Sequence, residues 1–335
     1  MANSASANKT TGKPKYLVTG TMGCIGAWVL RHLVNDGASI VATDLNTDVT
    51  RPALLLSEAE IASITWAQLD VTDGAAVLDM FAENEPTHLI HLAGLQIPFC
   101  KASPSLGASV NVVGTVNLLE AARQHNVRGV CYASSVGVYG APELYPTGRL
   151  KHDALPLPNN LYGVYKTANE NTAKVYWQDW QLGSIGLRPY TVFGIGRDQG
   201  LTADLAKATL AIAANEPFHI RFDGPVALQH AGDVARLFID CAALEYQGAE
   251  VFNLRNDVLE VASYVDVLKQ LYPSAAISYE KNNPLPFPAN YDDSALQAVV
   301  NNVPHTALED AIQADVNAFK QLLDTNRITT DCLKT

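Results

Sequence analysis

A glycine-rich turn between a predicted strand and a predicted helix constrains this chain more than any other feature. Residues 19–26 follow the apolar run 15–18, and the amphipathic segment 27–34 comes directly after them. Glycines at such a junction remove the side chains that would keep a diphosphate away from the backbone. The start of the helix adds unpaired N–H groups and the positive end of its dipole. We therefore predict a dinucleotide-binding turn, although glycines also close ordinary strand-to-helix turns.

Strand and helix patterns alternate through the first half of the chain. Segments with helical periodicity, over 74–84 and 105–125, alternate with nearly continuous apolar runs. Five of these runs are predicted to be strands: 15–18, 39–43, 64–69, 87–92 and 129–133. Alternation of this kind predicts an α/β fold, a Rossmann-type doubly wound parallel sheet with a small C-terminal substrate-binding portion. We expect three regions: a disordered tail over 1–13, an NAD-binding domain with the catalytic residues over 14–190, and a mainly substrate-binding portion over 191–330 with some segments returning to the first domain.

Charge and cysteine usage narrow the class of protein. The chain has 335 residues and a formal net charge of -11, without any run of Lys or Arg, which argues against nucleic-acid partners and anionic membrane surfaces. No apolar stretch reaches the length of a membrane span, and the first residues lack the apolar core of a signal peptide. The five cysteines are widely spaced and odd in number, which predicts reduced thiols, no metal site and a cytoplasmic location.

An acidic residue ends the second predicted strand. Asp44 stands where a carboxylate can accept hydrogen bonds from both hydroxyls of an adenosine ribose and repel a 2′-phosphate. Arg51, the nearest cation, lies well downstream, so we predict NAD rather than NADP. The alternative is that Asp44 merely caps the following turn. Asp70 follows the third predicted strand in the same way, at the sheet edge where ligands bind in parallel sheets.

Tyr162 and Lys166 lie four residues apart on a predicted helix over 160–182, and therefore on one face. Alcohol oxidation needs a base for the hydroxyl proton, and a nearby ammonium favours the anionic form of a phenol. Ser135, at the end of the fifth strand, is placed to orient the same substrate oxygen. The pair alone is also compatible with an exposed helix surface. His91, inside an apolar strand, is interpreted as a core histidine.

The motifs in their order resemble those of extended short-chain dehydrogenase/reductases of the NAD-dependent epimerase/dehydratase family. They are Thr19-Gly20-x-x-Gly23-x-x-Gly26, Asp44, Asp70-Val71, His91-Leu92-Ala93-Gly94, Asn111-Val112-Val113-Gly114-Thr115, Ser134-Ser135-x-x-Val138-Tyr139-Gly140, Tyr162-Gly163-x-x-Lys166 and Arg188-Pro189. The resemblance implies that Tyr162 is the acid/base, that Lys166 lowers its pKa and holds ribose, and that Ser135 polarises the substrate oxygen. It implies NAD binding by Gly20, Met22, Gly23, Cys24, Ile25, Gly26, Asp44, Asp70, Val71, Leu92, Ala93, Gly94, Tyr162 and Lys166, and a homodimer formed through helices 105–125 and 160–182.

Departures from the family pattern bear on the substrate. Val136-Gly137 replaces the Asp-Glu pair of related dehydratases, which argues against dehydration. Thr191 stands where nucleotide-sugar enzymes usually have Asn, and Val226-Ala227 stands where they tend to have Arg, which weakens a nucleotide-sugar assignment. Arg197 is hypothesised to bind a carboxylate or several hydroxyls; the alternatives are an Arg197–Asp198 surface pair or a dimer contact. The candidate substrate residues are Gln96, Ser135, Val136, Tyr162, Thr191 and Arg197.

These observations predict an NAD-dependent oxidoreductase acting by hydride transfer at a secondary alcohol or ketone of a sugar, sugar acid or similar polyhydroxylated small molecule. One alternative is a sugar or nucleotide-sugar epimerase with tightly bound NAD, which would use the same residues. Another is a non-catalytic NAD-sensing regulator, against which the intact set Ser135, Tyr162 and Lys166 argues.

Overall fold

The computed structural model describes residues 13–200 and 202–334. Its strands are β1 (Lys15–Thr19), β2 (Ser39–Asp44), β3 (Thr65–Gln68), β4 (His88–His91), β5 (Gly129–Ala133), β6 (Ser184–Arg188), β7 (Thr191–Phe193), β8 (Phe218–Ile220), β9 (Pro225–His230), β10 (Ala249–Asn253), β11 (Asp257–Glu260) and β12 (Ile277–Tyr279). Its α-helices are α1 (Cys24–Asn35), α2 (Glu58–Ala62), α3 (Gly74–Asn84), α4 (Ile97–Ala102), α5 (Pro104–Ala108), α6 (Gly114–Gln124), α7 (Leu161–Trp180), α8 (Asp204–Ala214), α9 (Ala231–Ala243), α10 (Val261–Leu271), α11 (Ser294–Val299) and α12 (Leu308–Asp324).

Seven parallel strands form the central sheet in the order β10-β6-β5-β4-β1-β2-β3. Strands such as β4 and β6 are buried along their whole length. This is expected of a sheet with helices on both faces. Helices α1 and α9 share one hydrophobic core with the sheet. Helices α3, α6 and α7 share the core on its other face. The predicted fold class, a Rossmann-type doubly wound sheet, is confirmed.

The order of strands locates a crevice. The chain runs outward from β1 through β2 to β3 and then returns to β4 on the other side of β1, so Leu17 pairs with Val41 in one neighbour and Leu89 in the other. Connections leaving β1 and β4 in opposite directions open a gap at their carboxyl ends. The turn after β1 and the segment after β4 therefore border the same opening.

The second half of the chain builds a smaller unit beside the sheet. Strands β11, β9 and β7 form one small sheet, and β12 pairs with β8 in another. Their apolar faces form a core with α8, α10 and α12. The chain also returns to the central sheet, since β10 pairs with β6. The tail predicted over 1–13 lies outside the described residues, apart from Lys13.

The helix predicted over 105–125 is continuous but irregular. Between α5 and α6, residues Ser109–Val113 form a π-helical turn. One extra residue in that turn rotates the side chains that follow relative to a regular α-helix. Helix α7 occupies almost all of the predicted 160–182 segment; Asn160 caps it by accepting a hydrogen bond from the Gly163 N–H at 2.9 Å. No helix among the described residues combines the length and apolar character needed to cross a bilayer.

Candidate active site

The glycine-rich turn connects β1 to α1 by a close backbone approach. Gly20 has φ +74°, and a Cβ added there would lie 2.6 Å from the backbone nitrogen of Ala93. A Cβ on Gly26 would lie 2.2 Å from the Gly20 carbonyl oxygen. Side chains at these positions would push the turn away from both the helix and the end of β4. The glycines thus hold the turn at the mouth of the crevice.

The start of α1 meets the requirements of a diphosphate site. No side chain caps the helix N-terminus, and Gly23 at its cap position lines the crevice together with Cys24, Ile25 and Gly26. Uncapped N–H groups and the helix dipole favour an anion there. The residues present therefore fit the diphosphate of a dinucleotide.

Asp44 lies at the end of β2, beside this turn. Its Oδ2 accepts a hydrogen bond from the Met22 N–H at 2.9 Å and its Oδ1 accepts one from the Leu45 N–H at 2.7 Å. Both oxygens keep lone pairs for further donors. A cavity of about 400 Å³ opens here, and Asp44, Asp70, Val71, Leu92, Ala93 and Gly94 are among its lining residues. The predicted adenosine-binding residues are therefore brought together.

Arg51 is not remote from this cavity, contrary to the expectation from its distance along the chain. It contributes to the lining of the same cavity. Its guanidinium, however, donates to the Met22 carbonyl at 2.7 Å and to both carboxylate oxygens of Asp198 at 2.8 and 2.7 Å. The pairing with Asp198 neutralises the charge that would otherwise attract a 2′-phosphate.

Tyr162, Lys166 and Ser135 face a second cavity, of about 250 Å³, which also borders the glycine-rich turn. Lys166 is buried; its Nζ donates to the Ala133 carbonyl at 2.8 Å and lies 5.6 Å from the centre of the Tyr162 ring. Ser135 Oγ accepts a hydrogen bond from the Gly137 N–H at 3.0 Å. The three candidate catalytic side chains are therefore assembled on one wall.

The groups around Tyr162 shift its pKa in opposing directions. Burial raises the pKa of Tyr162, while the neighbouring Ser135 hydroxyl and the positive charge of Arg197 lower it. Burial also lowers the pKa of Lys166 to about 8. The sequence did not indicate that Arg197 acts on the Tyr162 phenol. That Lys166 lowers the pKa of Tyr162 stays a prediction.

A buried ion pair supports α7 from behind. Glu170, one turn after Lys166, accepts hydrogen bonds from Arg188 Nε at 2.8 Å and Nη2 at 2.7 Å, and from the Ser134 hydroxyl at 2.5 Å. Both charged side chains are at most 4% exposed. This network ties the catalytic helix to β6 and to the residue before Ser135. Sequence reasoning missed Glu170, because a glutamate on a helix is usually exposed.

Asn111 is a second polar residue whose position the sequence did not reveal. The π-helical turn carries it into the interior, where its Nδ2 donates to the carbonyls of Leu95 at 3.1 Å and Gly107 at 3.0 Å. Its Oδ1 is buried without a partner among the described residues and lies near Gly94. Asn111 belongs to one of the sequence motifs that carry the family resemblance, but the sequence did not show that its side chain is buried.

The candidate substrate residues separate into two groups. Gln96, Val136 and Arg197 line the cavity with Ser135 and Tyr162, whereas Thr191 is not among the lining residues. Thr191 is fully buried in β7, whose backbone pairs with Leu228 of β9. The lining also includes residues that sequence reasoning did not single out: Ile97, Pro98, Tyr190, Val192, Thr202 and Phe287.

His91 remains in the core, as interpreted from the sequence. Its Nδ1 lies 2.8 Å from Thr19 Oγ1 and its Nε2 lies 3.0 Å from Thr115 Oγ1. Burial lowers the pKa of His91 to about 3. A neutral imidazole with both nitrogens occupied has no free position for substrate.

The fold, the glycine-rich turn and the Ser135–Tyr162–Lys166 wall define an oxidoreductase that uses a dinucleotide. The chain belongs to the NAD dependent epimerase/dehydratase family, whose model matches residues 16–255. The predicted family, the enzyme class and the NAD cofactor are thereby confirmed. The residues assigned to each role stay predictions.

Three similar proteins illustrate the range within this fold. UDP-glucose 4-epimerase of Mycolicibacterium smegmatis is 34% identical over 204 residues, which cover 59% of this chain and 63% of that protein. The structure of UDP-glucose 4-epimerase from Thermotoga maritima has a TM-score of 0.80 at 22% identity, covering 92% of this chain and 99% of its own. L-threonine dehydrogenase from Clostridium difficile has a TM-score of 0.80 at 20% identity, covering 92% and 98%. The two structures establish the shared fold and leave the substrate open.

Proposed function

We propose that this protein is an NAD-dependent oxidoreductase that acts by hydride transfer at a secondary alcohol or ketone of a sugar, sugar acid or similar polyhydroxylated small molecule. The supporting observation is that Ser135, Tyr162 and Lys166 share one cavity with the glycine-rich turn. NAD, when bound, supplies the hydride acceptor.

Each side chain has a distinct role in this proposal. The Tyr162 oxygen takes the hydroxyl proton during oxidation and returns it during reduction. The Ser135 hydroxyl hydrogen-bonds the same substrate oxygen and fixes its orientation. Lys166, held by the Ala133 carbonyl, supplies positive charge beside the phenol and a donor for the nicotinamide ribose. Asp44 accepts hydrogen bonds from the adenosine ribose.

Epimerisation is the second candidate, because the Mycolicibacterium relative is named a UDP-glucose 4-epimerase. In an epimerase the same residues would act on an intermediate that stays bound. Val226 and Ala227, both fully buried in β9, stand where similar nucleotide-sugar enzymes tend to have an arginine, which argues against a nucleotide-linked substrate. The two functions differ in cofactor use: a dehydrogenase needs added NAD at each turnover, and an epimerase does not.

Tyr162→Phe is the decisive variant. It should lower turnover by about 10²- to 10⁴-fold, the usual contribution of a positioned acid/base, while leaving the affinity for NAD unchanged. Tyr165→Phe is the matched control, because Tyr165 lies on the same helix and its hydroxyl donates to the Pro104 carbonyl at 3.0 Å. Rates are measured by NADH absorbance and NAD affinity by calorimetry. Activity surviving in Tyr162→Phe would overturn the proposal.

We further propose that the protein forms a homodimer through α7 and the helical segment from α5 to α6. Large apolar side chains are about half exposed on both: Leu106 and Val113 on the first, and Val164, Val175 and Trp180 on α7. A second copy would cover these side chains. Light scattering should give twice the mass of 36.0 kDa, and a monomeric mass would refute the dimer. A cytoplasmic location stays a prediction from cysteine usage.

A further inference from the structure

Arg197 lies on the loop that follows β7 and lines the cavity that contains Tyr162; it also lines a neighbouring cavity bordered by Arg51 and Asp198. This loop closes tightly: Gly200 has φ +102°, and a Cβ there would lie 2.5 Å from Gln96 Oε1 and 3.0 Å from Arg197 Nη2. The backbone of Gly200 therefore packs directly against both side chains. Arg197 lines the same cavity as Tyr162, and its positive charge lowers the pKa of the Tyr162 phenol. The guanidinium is thus close to the reacting end of the cavity.

The acidic neighbour of Arg197 is already engaged elsewhere. Asp198 receives two hydrogen bonds from Arg51, at 2.8 and 2.7 Å. Arg51 is held in turn by the Met22 carbonyl at 2.7 Å. The Arg197–Asp198 surface pair considered from the sequence is therefore not formed.

Arg197 itself lacks an anionic partner among residues 13–200 and 202–334. Its Nη2 makes a long contact of 3.4 Å with Thr202 Oγ1, and its Nε is buried with no hydrogen-bond partner. Burial lowers the pKa of the guanidinium. The Arg197 side chain is partly buried, and a partly desolvated cation without an ion-pair partner carries a cost that a bound anion offsets.

The residues around Arg197 indicate which kind of anion it would bind. Lys166 is the other cation lining the cavity, and its Nζ is bonded to the Ala133 carbonyl. One available guanidinium matches a singly charged carboxylate, which binds its planar fork with two parallel hydrogen bonds. Gln96, Ser135 and Thr202 add groups that can bond to substrate hydroxyls.

We propose that Arg197 binds the carboxylate of a small polyhydroxylated acid, so that the substrates are sugar acids rather than neutral, phosphorylated or nucleotide-linked sugars. The inference rests on the proposed function, because it concerns the substrate of the same site. By binding the carboxylate, Arg197 positions the substrate so that its reacting hydroxyl lies at Tyr162.

The test compares pairs of sugars that differ at C6, where the acid has a carboxylate and the neutral sugar has a CH2OH group. D-galacturonate is paired with D-galactose and D-glucuronate with D-glucose, and glucose 6-phosphate and UDP-glucose represent the phosphate classes. NADH formation is followed with NAD added, and epimeric products are sought by NMR. Binding of each compound to the protein with NADH is measured by calorimetry. We expect at least one acid to exceed its neutral partner about 100-fold in kcat/KM or affinity.

Arg197→Gln should lower kcat/KM for the acid by about 100-fold or more and bring the acid-to-neutral ratio close to one. Any effect of the Arg197 charge on Tyr162 lowers both members of a pair equally, so the ratio isolates the carboxylate contact. Arg197→Lys should recover part of the loss, because it keeps the charge without the fork. Exposed Arg149, which does not line the cavity, supplies the control Arg149→Gln, which should resemble the wild type.

The outcomes separate this inference from the proposed function. Equal use of acids and neutral sugars, with loss of activity in Tyr162→Phe, would leave the function standing and overturn the role of Arg197. Preference for glucose 6-phosphate or UDP-glucose would overturn it too. So would a loss of NAD affinity in Arg197→Gln as large as the loss of affinity for the sugar acid, since Arg197 would then bind the cofactor diphosphate. Failure of every acid to bind or react would also overturn it. Arg197-dependent binding without hydride transfer would support the inference and refute the function.

Discussion

Replacing Gly26 by alanine tests whether the glycine-rich turn holds the cofactor by close backbone packing. The added Cβ would lie 2.2 Å from the Gly20 carbonyl oxygen and 2.8 Å from Thr21 Cα, whereas real Cβ contacts stay above 3.0 Å. Both neighbours are backbone atoms, so a side-chain rotation cannot relieve the overlap. The turn must therefore move away from α1 by close to an ångström.

Two effects follow from that displacement. Overpacking of this kind costs about 1–3 kcal/mol of stability, which should lower the melting temperature by a few degrees. A misplacement of about 1 Å lowers catalytic efficiency on the order of 100-fold, because the helix N–H groups no longer meet the diphosphate. We expect the second effect to dominate, with weaker NAD binding as its direct sign.

The assay combines NAD calorimetry, steady-state rates and thermal unfolding without NAD. Gly74→Ala is the control, because a Cβ at Gly74, also in the first turn of a helix, meets only the Asn117 side chain, at 3.2 Å. That variant should bind NAD like the wild type. Wild-type NAD affinity in Gly26→Ala would refute the reasoning, and so would a loss of stability without any loss of affinity.

Two further predictions concern the cofactor preference and the support of the catalytic helix. Asp44→Ala should reduce the preference for NAD over NADP, measured as the ratio of the two dissociation constants, because the carboxylate that repels a 2′-phosphate is gone; an unchanged ratio would contradict this role. Glu170→Ala should destabilise the protein by about 3–5 kcal/mol in denaturant unfolding, because it leaves the Arg188 charge buried and unpaired. Arg31→Ala, which removes a partly exposed pair with Glu60, should have a much smaller effect, and equal losses would refute the assignment.

Much of the fold could be predicted because its signals are local. Apolar runs and helical periodicity predicted the first five strands and helices such as α3 and α7, because the apolar residues of a strand or helix with one buried face recur with a fixed period. Strands β9 to β12 were not predicted. Most of them belong to the smaller unit, and all depend on pairing with distant segments.

The residues predicted to bind the cofactor lie together in the structure, and their positions follow from local sequence signals. Gly20 and Gly23 stand between β1 and α1, Gly26 lies in the first turn of α1, and Asp44 ends β2. Tyr162 and Lys166 share a helix face by spacing alone.

Only the tertiary structure determines which charged side chains pair with one another. Arg51 and Asp198 are 147 positions apart, yet they form an ion pair, and Asp198 therefore does not pair with its neighbour Arg197. The burial of Glu170 against Arg188 likewise depends on how α7 packs on β6. Periodicity determines which face of an element is buried; the partner of a buried charge is determined by the three-dimensional packing of segments far apart in the chain.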